Sequence, residues 1–440
     1  MHVYQRRFRH KRIKQPHPKS EQQHPAPKQR RQTVLKAKWG RHMYKQYFPL
    51  LQNRNIHYLD AAATAQRPQA VLDGVQAYYT RSNGNAGRGS HTLAMESSAL
   101  IEAARTAVSG FIGADDSGEV IFTKNATESL NIIAYCYGLE QLHAGDEIII
   151  SIANHHANLI PWQFVARKTG AALRYVYLDE HGNFDMAGFK ALLGSRTKIV
   201  AVTAAVNTTG VVFPVREIIT EAHKHGAVAV IDAAQSIAHF PHDVAAWDCD
   251  FLAFSGHKLY AEFGAGVLYA KRTLIEKMPP FLYGGSMIEF VGEQTSEFKA
   301  GGAKYEGGTL DTAAIHSLQL SIDFLKKLGL EELHSYVEGL HRSLLTALKS
   351  LDFVEAYYTD AQRRVPTVAF NVKDVHSHDT AYILDEQGVM VRSGHHCTQP
   401  LMEYMGINSC CRASLGIYNT QEDIDALAAA LKKVYEIFKR

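Results

Sequence analysis

The sequence has no uninterrupted apolar run of about 18 residues, so we expect no helix that spans a membrane. Cysteine is also scarce, with five residues in a chain of 440, and the number is odd. No two cysteines have the spacing of a metal motif, and no signal peptide precedes them. These absences argue against a disulfide scaffold and against a zinc motif, and they favour a reduced, cytoplasmic protein.

Acidic residues are almost absent from residues 1–45, which hold fourteen Lys or Arg and a single acid, Glu21. Because the whole chain has a net charge of +3, the remainder is acidic, and neither nucleic acid nor a membrane is expected to bind the main body. Residues 1–42 show no apolar periodicity, so we predict a disordered basic tail. An arm that binds nucleic acid and a misassigned start, with Met43 as the true first residue, are the alternative interpretations.

Seven short apolar runs predict the strands of one sheet. Several are apolar without alternation, as strands buried on both faces are, and helical stretches such as 97–112, 127–138 and 214–225 separate most of them. This alternation predicts an α/β fold with a mostly parallel sheet. The last two runs follow each other so closely that one of them can pair antiparallel. The runs are 119–123, 147–152, 173–178, 198–204, 227–232, 250–254 and 265–270.

Beyond residue 312 the pattern changes, and we predict a smaller α+β domain. Its predicted elements are a long helical stretch at 313–350, strands at 365–372 and 389–392, and a closing helix at 420–439. The predicted division of the chain is a segment at 43–57 that packs with the smaller domain, a large domain at 58–325 and the smaller domain at 326–440.

Polar residues follow several of the predicted strands, at the edge where open α/β sheets bind their ligands. A lysine beside a carboxylate in a cleft can form an imine with an aldehyde cofactor, and a helix that opens with Thr suits a phosphate. Each position alone is weak evidence, because the turns that follow strands are often formed by polar residues. Together, however, these positions indicate one site. The positions are Asn125–Thr127, Asn154–His156, Asn207, Asp232 with Gln235, and Ser255–Lys258.

These segments resemble the cysteine desulfurases, a family of fold-type I, class V aminotransferase-like enzymes that use pyridoxal 5′-phosphate (PLP). The likeness is strongest to the SufS-like branch and runs from about Tyr44 to the C-terminus. The matching stretches, in order, are YLDAAATAQRP (58–68), NAGRGSHTLA (85–94), FTKNATESLN (122–131), NHHANLIPWQ (154–163), VIDAAQS (230–236), FSGHKLY (254–260), YEGGTLDTA (305–313), RSGHHC (392–397) and CRASLGIYNT (411–420).

The resemblance implies a PLP-dependent transferase fold of type I and a reaction that converts L-cysteine into L-alanine and a persulfide on Cys397. The sulfur would then pass to an acceptor protein of the SufU or SufE kind for iron–sulfur cluster assembly. A homodimer is also implied. Alternatives on the same fold are a selenocysteine lyase, an aminotransferase, an epimerase, a kynureninase-like enzyme, or a PLP-binding protein without turnover.

The resemblance also assigns roles around the cofactor ring. Lys258 would form the imine with PLP, Asp232 would pair with the pyridine nitrogen, and Gln235 with the phenolic oxygen. His155 would stack on the ring as a catalytic residue, and Asn207 would lie near the phenolate and the substrate. The alternative for Lys258, a solvated surface lysine, fits poorly with its place directly after a buried strand.

The phosphate of the cofactor would be held by residues from two subunits. The resemblance assigns it to Thr127 and the adjacent backbone amide of Ala126, and to Ser255 and His257. Thr309 would reach the phosphate of the neighbouring subunit.

For the substrate, Arg412 would form a bidentate pair with the carboxylate, and Arg392 would lie near the same pocket. Cys397 would accept the sulfur; its alternative is a small buried hydrophobic residue, which the polar loop around it disfavours. A metal site formed with His395 and His396 is also disfavoured, because adjacent residues rarely bind one ion together.

The remaining cysteines are expected to pack in cores. Cys136 and Cys249 lie within or beside apolar runs, and the vicinal pair Cys410 and Cys411 is expected to pack near the core of the smaller domain rather than to act in redox chemistry.

The chain departs from the family pattern at positions that border the pocket or the subunit interface. The residues here are Ala61, Gly87, Asn154, Ala261 and Glu262. They bear on substrate preference and activity and not on the cofactor.

Overall fold

A computed structural model describes residues 44–87 and 89–439, and the structural statements below concern these residues. The predictions for the basic tail at 1–42 and for Met43 lie outside them.

The strands are β1 (His57–Tyr58), β2 (Val120–Thr123), β3 (Glu147–Ser151), β4 (Ala172–Val176), β5 (Thr197–Thr203), β6 (Val228–Asp232), β7 (Phe251–Ser255), β8 (Gly266–Ala270), β9 (Ile288–Val291), β10 (Ser296–Phe298), β11 (Val354–Ala356), β12 (Thr367–Val372), β13 (Val389–Met390), β14 (Arg392–Gly394) and β15 (Cys410–Ser414).

The α-helices alternate with the strands in the first three quarters of the chain. They are Pro49–Asn53, Gln69–Ala77, Thr92–Ile112, Ala126–Ile132, Leu139–Gln141, Ile160–Thr169, Met186–Leu192, Val215–Lys224, Arg272–Lys277, Thr312–Leu328, Leu330–Lys349, Ser377–Glu386, Gln399–Tyr404 and Gln421–Phe438. None of these helices is long and apolar enough to cross a membrane.

The central sheet has seven strands in the order β2-β8-β7-β6-β5-β3-β4, and each corresponds to one of the seven predicted runs. β3 pairs in parallel with β4 and β5, and β6 pairs in parallel with β5 and β7. β8 is antiparallel to both β2 and β7, because it follows β7 after a short connection that leaves no room for a crossover helix. The predicted α/β fold with a mostly parallel sheet is confirmed.

Both faces of this sheet are buried, as its continuous apolar runs predict. Along β3, Ile148 and Ile150 face one apolar cluster, while Ile149 faces the other. Trp162 packs on the first face, and Leu318 belongs to the cluster on the second. Each fully buried aliphatic side chain contributes about 1.5–3 kcal/mol, so the sheet is a rigid base for residues at its edge.

A second, four-stranded antiparallel sheet has the order β11-β12-β15-β14. Arg392 on β14 lies directly opposite Arg412 on β15. Side chains of directly opposed residues project from the same face of a sheet, so this pairing brings the two guanidinium groups together.

The predicted helical stretch at 313–350 is two helices, because Gly329 has a φ of +92° and separates them. The predicted strand at 389–392 is also divided: β13 pairs with β1, and β14 joins the second sheet. Phe48, from the predicted N-terminal segment, packs edge-on against Phe324 and Tyr418. The domain boundaries themselves stay a prediction.

Candidate active site

A cavity of about 600 Å³ lies at the carboxyl edge of the central sheet. Because β2, β3, β5, β6 and β7 run in the same direction, the residues that follow them meet there. Every predicted site residue except Thr309 lines this cavity, namely Ala126, Thr127, His155, Asn207, Asp232, Gln235, Ser255, His257, Lys258, Arg392, Cys397 and Arg412.

Lys258 follows β7 in a single turn of 3₁₀-helix, and Asp232 is the last residue of the adjacent strand β6. Burial lowers the pKa of Lys258 to about 8, although the nearby Asp232 carboxylate opposes the shift. Burial also raises the pKa of Asp232, against the backbone N–H of Ala234 that donates to its Oδ1 at 2.9 Å. The pair therefore combines an amine that loses its proton near neutral pH with a buried carboxyl group.

His155 precedes a short turn, and its Nδ1 accepts a hydrogen bond from the backbone N–H of Ala157 at 3.1 Å. Burial lowers the pKa of His155 to about 3, and the charge of Lys258 acts in the same direction. The imidazole is thus neutral at physiological pH, and because Nδ1 is an acceptor, its proton is on Nε2.

The end of the cavity near β2 and β7 is rich in hydrogen-bond donors. Asn125 caps the helix Ala126–Ile132 by accepting from the N–H of Glu128 at 3.0 Å. Ser255 Oγ accepts from the N–H of Ala126 at 2.8 Å, which leaves its own proton free to donate. Nδ1 of His257 is buried without a hydrogen-bond partner in the described chain. Such a set of donors at a helix start fits a phosphate group.

Asn207 and Gln235 are buried and oriented by backbone carbonyl groups. Gln235 Nε2 donates to the carbonyl of Ala62 at 2.8 Å, and Asn207 Nδ2 donates to the carbonyl of His396 at 2.6 Å. The turn after Asn207 depends on Gly210, which has a φ of +79°. A Cβ at that position would lie 2.4 Å from a backbone oxygen, so only glycine fits.

The sequence analysis did not single out Asp60, although Asp60 holds both arginines. Its Oδ1 lies 3.1 Å from Nη2 of Arg412, and its Oδ2 lies 2.9 Å from Nη2 of Arg392. Arg412 also donates to the carbonyl of Asn207 at 3.0 Å, and its Nε is buried without a partner in the described chain. The one available signal was the position of Asp60 within the matching stretch YLDAAATAQRP, two residues after β1.

Cys397 is exposed, and it lies in a loop with unusual backbone geometry. Cys397 and His396 have φ values of +57° and +51°, a left-handed conformation that costs a non-glycine residue about 1–3 kcal/mol. The loop is nevertheless fixed, because the N–H of His156 donates to the Cys397 carbonyl at 2.8 Å and Thr398 Oγ1 bonds Thr208 Oγ1 at 2.7 Å.

The other four cysteines are buried and form no disulfide. Burial raises the pKa of Cys136 and Cys410 to about 12, and it raises the pKa of Cys249 and Cys411 as well. Their prediction as core residues is confirmed, and Cys397 is the thiol that solvent reaches. In the residues that the structure describes, no group of His, Cys, Asp or Glu is arranged to hold a metal ion.

Thr309 is the one predicted site residue that lies outside the cavity. It is exposed in the turn after Glu306, near Lys124. Glu306 is fixed by a buried bidentate pair with Arg105, at 2.8 and 2.9 Å, and by the N–H of Phe122, which donates to Oε1 at 2.8 Å. The turn is thus rigidly attached to β2.

A family model described as aminotransferase class-V matches residues 57–427. The fold and the cavity agree with this class. Buried Lys258 and Asp232 line the cavity beside hydrogen-bond donors of the kind that bind a phosphate group. The orphaned Nδ1 of His257 is an unsatisfied donor or acceptor that a phosphate oxygen would satisfy. The cofactor is pyridoxal 5′-phosphate.

Similar proteins and solved structures show which family within this class the chain belongs to. A "Probable cysteine desulfurase" of Treponema pallidum is 52% identical over 397 residues, which are 90% of this chain and 98% of the relative. Another from Halalkalibacterium halodurans is 43% identical, with 90% and 98% of the two chains covered. The crystal structure of the Escherichia coli cysteine desulfurase CsdA is 37% identical, with a TM-score of 0.84 over 90% of this chain and 98% of that one. The apo cysteine desulfurase of Thermococcus onnurineus is 33% identical, with a TM-score of 0.86 over the same shares. The chain belongs to the cysteine desulfurases and is a PLP-dependent enzyme.

Proposed function

We propose that this cysteine desulfurase moves the sulfur of L-cysteine onto Sγ of Cys397 and releases L-alanine, with the residue roles of the SufS-like branch. The observation that carries the proposal is that Cys397, Lys258 and Arg412 line one cavity. A lysine amine, a carboxylate-binding guanidinium and an exposed thiol are together what a desulfurase needs.

In this proposal the cofactor is held along its whole length by the residues already described. PLP supplies an electron sink that makes the Cα–H and Cβ–S bonds of cysteine labile. Asp232 would hold the pyridine nitrogen, Gln235 would donate to the phenolic oxygen through its second Nε2 proton, and His155 would pack against the ring. Thr127, Ser255 and His257 would hold the phosphate, and the N–H of Ala126 would join them by exchanging its bond to Ser255 for one to the phosphate.

Arg412 binds the substrate carboxylate. The Arg412 side chain is only 3% exposed, and its buried Nε has no partner among the described residues, so an incoming carboxylate would satisfy this donor. The bidentate geometry of an arginine–carboxylate pair then fixes the Cα of cysteine beside Lys258. Arg392 is half exposed and adds attraction at the mouth of the cavity.

Lys258 and His155 move the protons. With a pKa near 8, about a tenth of the Lys258 amines are neutral at pH 7, and Nζ in that form accepts the Cα proton of the substrate. Neutral His155 presents its Nε2 proton to the cavity. These two groups therefore serve as base and proton donor.

Sulfur transfer then occurs at Cys397. The Cys397 thiolate attacks the sulfur of cysteine, an S–S bond forms and the Cβ–S bond breaks. The electron pair of the broken bond goes to the three-carbon fragment, which takes up a proton at Cβ and leaves as alanine. The products are alanine and a persulfide on Cys397, with no external oxidant or reductant.

The persulfide passes to an acceptor protein, for which a SufU- or SufE-like partner in iron–sulfur cluster assembly is proposed. Cys397 and the next residue, Thr398, are anchored by hydrogen bonds to His156 and to Thr208. A loop held in this way cannot extend far from the cavity, so the acceptor thiol must approach Cys397. An acceptor should therefore increase turnover.

The enzyme acts as a homodimer in this proposal. Thr309 is exposed and lies outside the cavity of its own subunit, which is the position required if it completes the phosphate site of the partner. Sedimentation of the holoenzyme should give the mass of two chains, and Thr309→Ala should weaken PLP binding while leaving that mass unchanged.

Alanine and sulfide release from L-cysteine with a reductant tests the proposed function. The parent should form both products, and Cys397→Ala should lose both while its visible absorbance shows that PLP is still bound. Selenium release from L-selenocysteine by the same variant is the comparison. Equal desulfuration by parent and variant would remove the persulfide step and favour a lyase.

A further inference from the structure

A second cavity of about 500 Å³ lies away from the Lys258 site and shares none of its lining residues. Its walls are the turn 238–241 after β6, the helix Leu330–Lys349 and the segment 359–366. The desulfurase reaction described above uses none of these residues.

Three imidazoles line the cavity, those of His239, His334 and His341. His334 and His341 are seven residues apart, or two helical turns, so they lie on one face of their helix, and His239 faces them from the turn. His341 is 5% exposed, and its Nε2 is buried and unpaired. A buried imidazole nitrogen normally has a hydrogen-bond partner, so this nitrogen is available to bind a ligand in the cavity.

The charged groups of the cavity are mostly positive. Arg364 is fixed because its Nη2 donates to the carbonyl groups of Thr209 and Thr367 at 2.6 and 3.0 Å, and its Nε is buried without a partner in the described chain. Arg363 is exposed, with its guanidinium 5.7 Å from the ring centre of Phe240.

Glu338 is the one acidic residue in the lining, and Arg342 neutralises it at 3.0 Å. Asp360 lies next to the lining and acts on Arg364, but Lys349 pairs with it at 2.7 Å. The cavity therefore keeps an excess of positive charge.

The imidazoles are neutral at physiological pH. Burial is the main cause that lowers the pKa of His239 and His341 to about 3, and neighbouring imidazole and guanidinium groups act in the same direction. A neutral imidazole still donates one N–H, and an anion placed among the rings would favour their protonation. The rings and the arginines therefore have the same preference for a negative ligand.

We propose that this cavity is a binding site for a small organic phosphate. Arginine guanidinium groups and imidazole N–H groups are phosphate donors, and the excess positive charge selects an anion. The volume exceeds that of inorganic phosphate and lies in the range of pockets that hold metabolites. Phe240 supplies an apolar face for the organic part of the ligand.

Calorimetric titration of the PLP-loaded enzyme at fixed ionic strength tests the site, with inorganic phosphate and adenosine 5′-monophosphate as probes. PLP keeps the catalytic phosphate site filled. Both probes should saturate one site per chain, and the nucleotide should bind more tightly than phosphate.

His334→Gln and Arg363→Gln should each weaken binding by about fivefold or more, because each removes a donor to the phosphate. Glu338→Gln should tighten binding by about threefold, since it removes the one negative group of the lining.

His143→Gln and Arg167→Gln change exposed residues that line neither this cavity nor the Lys258 site, and they should leave both dissociation constants unchanged. Unchanged melting temperatures and desulfurase rates show that the variants fold. Absence of saturable binding by either probe, or parental affinity in both His334→Gln and Arg363→Gln, would overturn the proposal. Binding of phosphate without tighter binding of the nucleotide would overturn the assignment to an organic phosphate.

Discussion

The carboxylate of Asp60 lies 3.1 Å from Nη2 of Arg412, the guanidinium proposed to bind the substrate. The same carboxylate lies 2.9 Å from Nη2 of Arg392, so one acid orients two cations. Within the part of the chain that the structure describes, Nε of Arg412 has no partner, whereas both Nε and Nη2 of Arg392 are engaged by Asp60. The two arginines therefore differ in which guanidinium nitrogens remain available for the substrate carboxylate.

Asp60→Asn should raise the KM for L-cysteine by about tenfold with a smaller change in kcat, because Arg412 would lose the group that orients it. Removing the partner of a buried arginine should also lower the free energy of unfolding by about 3 kcal/mol. Steady-state kinetics and urea unfolding measure the two effects. Asp73→Asn, at an exposed helix position, is the matched control and should change neither quantity.

Arg412 and Arg392 should respond differently to replacement by lysine. Arg412→Lys loses a buried bidentate donor and should raise KM by about 100-fold, whereas Arg392→Lys, at a half-exposed position, should raise it by about threefold or less. Saturation kinetics with L-cysteine give both values. A larger effect at Arg392 would exchange the roles assigned to the two residues.

The rate at which the apo-enzyme takes up PLP should depend on the protonation of Lys258. Burial lowers the pKa of this amine to about 8, so the neutral, reactive form increases as the pH rises from 6 and is nearly complete above about 9. The rate of PLP uptake, followed by visible absorbance, should rise and then level off over that interval. A rate that continues to rise through pH 10 would mean that the lysine is unperturbed.

Glu306→Gln should destabilise the enzyme by about 2 kcal/mol, because it breaks a buried bidentate pair with Arg105 and leaves the exposed Glu102 as the remaining acidic partner of that guanidinium. The same change should weaken PLP retention, since Glu306 fixes the turn that carries Thr309. Glu338→Gln breaks an exposed pair and should cost less than about 0.5 kcal/mol. Similar unfolding free energies for the two variants would contradict this account of Glu306.

The sequence predicted the sheet well because its strands are buried on both faces and therefore leave uninterrupted apolar runs. It also predicted which polar residues meet, since residues after parallel strands share an edge. The break at Gly329 was missed because apolar residues continue at helical spacing on both sides of it. Strands β9 and β10 were missed because they are short and largely exposed, so burial leaves no apolar pattern in them.

Two features of the candidate site could not be predicted from local patterns. Asp60 meets Arg412 across 352 residues of sequence, and only the pairing of the chain near β1 with β13 and β15 brings them together. The second cavity likewise joins a turn of the first sheet to a helix and a loop distant in sequence. Such contacts depend on tertiary packing and not on the periodicity of any one element.

Mass spectrometry of the Cys397 peptide after brief exposure to L-cysteine, without a reductant, tests the central claim most directly. The account predicts that this peptide gains the mass of one sulfur atom in step with alanine release, and that Cys397→Ala forms neither product. Alanine release by the parent with no added sulfur on Cys397, or added sulfur on one of the buried cysteines instead, would contradict it.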